Sequence, residues 1–175
     1  LYPYGGHQAL RKMSSLLIEK AERLIALAMD KKITLGTAES CTGGLIGAAL
    51  TSVSGASAVF FGGIISYDNS VKEAVLGVKK ETLLTVGAVS HDTAVQMAKG
   101  ACHVLGTDLA VSVTGIAGPT GGTPAKPVGT VFIAVARRDG KTLCTENHFL
   151  GDRHAVRAQT VEKAITLLTE VVENV

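Results

Sequence analysis

Four short segments of this sequence carry residue types that can do chemistry, and together they spell acyl transfer. Ala38-Glu39-Ser40-Cys41-Thr42-Gly43-Gly44 puts a serine on a tight, glycine-bearing turn. Free backbone N–H groups on such a turn, where a strand passes into a helix, can stabilise an oxyanion. Tyr67-Asp68-Asn69-Ser70-Val71-Lys72 supplies a lysine. In a partly desolvated cleft a lysine loses its proton more easily and can serve as the base in a serine–lysine pair. Tyr67 stands where it could relay a proton or orient that lysine. Thr114-Gly115-Ile116-Ala117-Gly118-Pro119-Thr120-Gly121-Gly122 offers successive N–H groups to an anion or a carbonyl oxygen. Gly151-Asp152-Arg153-His154-Ala155-Val156-Arg157 sets two guanidinium groups one helical turn apart, a pattern suited to phosphate.

Each segment also has a plainer reading. Ser40 or Thr42 can simply cap a helix. A lysine in a helix's first turns is usually solvated. A glycine- and proline-rich stretch is by default a surface loop, and the two arginines can be solvated. What lifts all four is their predicted convergence, derived below. The glycine loop has neither the Walker A spacing nor a dinucleotide GxGxxG. Cys41 is the rival nucleophile, but no histidine is placed to activate it, and such cysteines more often pack the core. His91, His103, His148 and His154 stand alone and receive no role.

Composition narrows the classes. With 46% hydrophobic and only 18% charged residues, the chain is not a disordered one. A formal charge of +2, without a basic run or interleaved aromatics, argues against a nucleic-acid partner. Three cysteines without a CxxC fit a reducing, cytoplasmic compartment and no metal site. No apolar run is long enough to span a bilayer, so no membrane partner is expected. Residues 1–12 read as a leader or cloning remnant before Met13, and 13–175 as a single domain. Small apolar helix faces leave a homodimer open.

The elements that must position the chemistry follow from periodicity. Helical spacing covers Ser14–Lys31, and a short strand Ile33–Ala38. A small-residue helix is expected over Thr42–Thr51, a strand over Val59–Tyr67, and short helices near Ser70–Leu76 and Lys79–Thr85. Ser90 caps a helix over His91–Leu105. Strands follow at Leu109–Thr114, Thr130–Arg137 and Thr142–Leu150, the last two flanking an Asp139-Gly140 hairpin. Asp152 caps a final helix. Right-handed crossovers make the first three strands parallel, and the helix-free link to the fourth makes that one antiparallel. The fold expected is a three-layer α/β/α sandwich around a mixed, mostly parallel five-stranded sheet. Segments 39–44, 66–72, 114–127 and 151–157 then meet at one sheet edge, where ligands bind in open α/β sheets.

These motifs, with Gly87-Ala88-Val89-Ser90 and Lys126-Pro127-Val128-Gly129-Thr130-Val131, occur in an order that resembles the CinA C-terminal domain family over roughly residues 14–173. The resemblance is to its stand-alone form. It implies hydrolysis of nicotinamide mononucleotide to nicotinate mononucleotide and ammonia, in pyridine-nucleotide recycling, with no cofactor and no metal. By the same resemblance Ser40 is the nucleophile and Lys72 the base, with Tyr67 and Thr114 as further catalytic-site residues and Ser57 a weaker candidate. The residues expected to bind substrate are Thr42, Gly43, Gly44, Asn69, Gly115, Gly118 and Arg153. The alternative is a non-catalytic nucleotide-sensing module linked to competence or the DNA-damage response.

Overall fold

A computed structural model describes residues 13–175. The expected leader therefore lies outside the described residues. Helix α1 (Ser15–Lys31) starts at Ser14, whose hydroxyl accepts the Leu17 N–H. Strand β1 (Leu35–Glu39) leads through a tight turn to α2 (Leu45–Thr51), then through a 3-10 turn at Ala56–Ala58 to β2 (Phe60–Ile65). Two short helices follow, α3 (Asn69–Ala74) and α4 (Lys80–Thr85), then the long α5 (His91–Leu105). The chain closes with β3 (Leu109–Gly115), β4 (Thr130–Arg137), β5 (Thr142–His148) and α6 (Arg153–Glu173).

The five strands lie in the order β2-β1-β3-β4-β5. Strand β1 pairs parallel with both β2 and β3, while β3–β4 and β4–β5 are antiparallel. The expected sheet is therefore present. The chain leaves β1 in one direction, to β2, and returns across it to β3 on the other side. That reversal makes the carboxyl ends of β1 and β3 a topological switch point.

Side-chain alternation sorts the two faces of the sheet. Leu35, Val111, Val113, Val131, Ile133 and Val135 form one core with α1, α2 and α6. Ala38, Ala110, Ala134 and Ala136 meet Ala94, Met97, Ala98 and Ala101 of α5 on the other. The small residues let α5 lie close to the sheet. The Ser112 hydroxyl, fully buried, donates to the Ala94 carbonyl at 2.6 Å.

Among the element ends that differ from expectation, three build the site. Helix α2 begins at Leu45 and not at Thr42, because Gly43 and Gly44 take positive φ of 59° and 101°. Strand β2 stops at Ile65, which turns the carbonyls of Ser66 and Tyr67 towards Lys72. Strand β1 reaches Glu39, one residue further than expected, so Ser40 follows directly on the strand end.

Candidate active site

Lys72 lies on the short helix α3, whose N-cap Asp68 accepts the Ser70 N–H at 2.9 Å. The helix faces the end of β1, and Lys72 is only 1% exposed. Its Nζ has three oxygen partners: Ser66 O at 2.7 Å, Tyr67 O at 3.0 Å and Ser40 Oγ at 3.0 Å. A neutral amine has two N–H donors and one lone pair. The two carbonyls can only accept, so they take the two donors. The lone pair is then left for the one partner able to donate, the Ser40 hydroxyl. No ion pair with a carboxylate holds Lys72 among the described residues. Burial moves its pKa below the ordinary lysine range, opposed more weakly by the charge of Asp68.

A cavity of about 210 Å³ opens over this pair. Ser40, Lys72, Tyr67, Asn69, Thr114, Gly115 and Arg153 all line it, as the sequence led us to expect. Thr114 is buried at the end of β3 and donates to Ala88 O at 2.8 Å, tying the sheet edge to the segment before α5. That segment, Ala88-Val89, belongs to the Gly87–Ser90 motif that the sequence showed without a site role, and it forms a wall of the cavity. Arg153 reaches across the mouth: Nη1 donates to Gly118 O at 3.0 Å and Nη2 to the Tyr67 hydroxyl at 3.1 Å. Tyr67 thus meets Lys72 through its backbone carbonyl and Arg153 through its phenol. A second cavity, about 480 Å³, shares Ala117 and Arg153 with the first and is also lined by His154 and Arg157.

Other expected residues stand nearby without lining the first cavity. Thr42 is fully buried, and its hydroxyl donates to Glu39 at 2.6 Å. Gly43 and Gly44 shape the turn, and Gly118 contributes a carbonyl to Arg153. Ser57 sits in the 3-10 turn, away from the cavity lining. The pairing of Arg157 with Arg153 for phosphate gives way to a different role: its Nε and Nη2 donate to the carbonyls of Cys41 and Thr42 at 3.0 and 3.2 Å. Cys41 also lines the first cavity, but burial pushes its thiol up to about 11, which leaves little thiolate at neutral pH. Among the described residues, no group of three or more His, Cys, Asp or Glu side chains is arranged to hold a metal ion.

These features define a class: a three-layer α/β domain with a buried serine–lysine pair at the switch point of its sheet. The chain belongs to the CinA C-terminal domain family, which matches residues 18–172. It is 49% identical over 164 residues to a CinA-like protein of Leptospira borgpetersenii serovar Hardjo-bovis, covering 91% of this chain and 39% of that protein. It is 45% identical over 170 residues to a CinA-like protein of Geobacter sulfurreducens, covering 94% and 41%. The chain thus spans about two fifths of the length of these relatives. Among solved structures, the competence/damage inducible protein CihA from Agrobacterium tumefaciens matches with a TM-score of 0.89 at 44% identity, over 91% of this chain and 97% of that one. A CinA-superfamily protein from Klebsiella pneumoniae matches with a TM-score of 0.87 at 34% identity, over 91% and 99%. No helix among the described residues is long and apolar enough to cross a membrane.

Proposed function

We propose that this domain hydrolyses the carboxamide of nicotinamide mononucleotide to nicotinate mononucleotide and ammonia, through an acyl-enzyme on Ser40. The observation that carries the reading is the 3.0 Å contact between Ser40 Oγ and a buried lysine whose other two partners are carbonyls. A carboxylate beside Lys72 would hold it charged. Two carbonyls leave it able to accept a proton and remain satisfied afterwards, with three N–H donors for three acceptors.

In this scheme Ser40 Oγ attacks the carboxamide carbon as its proton passes to Lys72 Nζ. The oxyanion falls to backbone N–H groups that border the cavity, such as that of Cys41, which makes no hydrogen bond to another described residue. One well-placed donor contributes ~3 kcal/mol to such a transition state. Collapse of the tetrahedral species breaks the C–N bond, and the lysine proton goes to the departing nitrogen, which leaves as ammonia. Lys72, neutral again, takes a proton from a water that attacks the ester carbon, and returns it to Ser40 Oγ as the C–O bond breaks. The pyridine ring occupies the smaller cavity, and the phosphate reaches Arg153, which borders both cavities.

The test is ammonia release from nicotinamide mononucleotide by the wild type and by Ser40→Ala. Release by the wild type and its loss in the variant support the reading. Binding of the nucleotide without turnover would favour a sensing module, and full turnover by Ser40→Ala would remove the serine from its role.

A further inference from the structure

Glu39 precedes Ser40 and is 2% exposed, yet no cation pairs with it among the described ion pairs. An unpartnered buried carboxylate is costly. This one is satisfied by the Ser40 turn and the start of α2. Oε1 accepts the Thr42 hydroxyl at 2.6 Å and the Ile46 N–H at 2.9 Å, and Oε2 accepts the Gly47 N–H at 3.0 Å. The N-cap of α2 is Gly44, which has no side chain to offer the helix's unpaired N–H groups. Glu39 caps the helix from the end of β1 and so closes a ring around residues 40–45. Arg157 grips the same ring through the carbonyls of Cys41 and Thr42.

We propose that Glu39 is a positioning residue for the nucleophile. Its carboxylate locks the Ser40 turn onto α2 and so holds Oγ against Lys72. It acts through geometry and not through charge on Lys72: both its oxygens are turned to Thr42 and the first N–H groups of α2. The inference rests on the serine–lysine reading above.

The experiment reads Ser40 directly, with a small alkyl fluorophosphonate and no nucleotide. Oγ attacks phosphorus, the P–O bond forms as the P–F bond breaks, fluoride leaves, and the hydroxyl proton passes to Lys72. In Glu39→Gln, whichever way the amide lies, its NH₂ faces the N–H of Ile46 or of Gly47, so one backbone donor loses its acceptor. The labelling rate constant is expected to fall on the order of 100-fold, the scale of a small misplacement of reacting groups. The pH at which labelling half-develops should not move. Thr42→Val removes one bond and leaves the helix cap, with an expected loss of roughly tenfold, the effect of about one hydrogen bond. It also decides the matter if Glu39→Gln does not fold. Wild-type labelling rates in either folded variant, or a shifted pH midpoint, overturn the inference alone. A wild type that is not labelled at all overturns the serine–lysine reading, and this inference with it.

Discussion

Two glycine-bearing connections border the cavity, and they are built on opposite plans. The turn Ser40–Gly44 is short, and its first three residues are buried. Side chains bind it from three directions: Glu39 and Thr42 from within, Lys72 from α3 and Arg157 from α6. The loop between β3 and β4 is longer, and its tip from Pro119 to Ala125 is exposed. Two long cations tie it to its surroundings, Arg153 to Gly118 O and Lys126 to Val86 O. The Ser40 hydroxyl thus sits where few arrangements are open to the chain, and under the proposed function recognition would fall to the more exposed loop. Catalytic groups need the first kind of support, while a loop that admits a ligand is drawn from the less constrained parts of a fold.

The largest effect should come from the rigid side. Lys72→Met should lower ammonia release on the order of 10⁴-fold, as loss of a triad member does. In the wild type the rate should rise with pH as Lys72 gives up its proton, at a pH below that of a free lysine. The same shift has a stability counterpart. The unfolded chain keeps this proton to higher pH than the folded one, so between the two pKa values unfolding takes up a proton. The contribution of Lys72 to stability therefore grows with pH across that window, and it should vanish from urea titrations of Lys72→Met. A variant as active as the wild type would erase the distinction between the two connections.

On the loop side, Arg153→Ala should raise KM for the mononucleotide roughly 10- to 100-fold, the equivalent of a charge-assisted hydrogen bond of about 1.5–3 kcal/mol, and leave kcat nearly unchanged. Nicotinamide riboside, which has no phosphate, should show little difference between wild type and variant. An equal loss on both substrates would make Arg153 a support for Tyr67 and remove it as a phosphate ligand.

Much of this contrast was legible in the sequence. Strand and helix periodicity, with the handedness of crossovers, sufficed to bring Ser40, Lys72, Thr114 and Arg153 to one edge. Ser90 and Asp152 announced their helices through their caps. Glu39 gave no such signal. Its partners are backbone N–H groups of a helix that starts five residues after Ser40, and no side-chain pattern encodes where a helix leaves its N–H groups unpaired. Arg157 misled for a related reason: its i, i+4 spacing with Arg153 places both on one helix face, but the carbonyls of a turn distant in sequence decide where the guanidinium goes. The wall Ala88-Val89 has no chemical side chain to mark it, and only its lodging against Thr114 brings it to the site.

The smallest effect should come from the far strap of the loop. Lys126 is half-buried and donates to Val86 O at 2.7 Å, across the gap between the loop and the end of α4. The bond contributes at most about 1 kcal/mol, since water replaces either partner readily at such an edge. It also joins two segments that are each held by other contacts: Thr123 N–H bonds Lys126 O and Gly129 N–H bonds Ile116 O in the loop, and Gly87 N–H bonds Thr82 O at the end of α4. Lys126→Ala should therefore leave the base of the loop in place and loosen its tip. KM should rise only two- to fivefold, within what about 1 kcal/mol permits, while kcat and fluorophosphonate labelling of Ser40 stay at wild-type values. Amide exchange should quicken across residues 119–126 and stay unchanged across 40–44. Faster exchange in the serine turn as well would mean that the two connections share their stability, and the division of labour between them would fail.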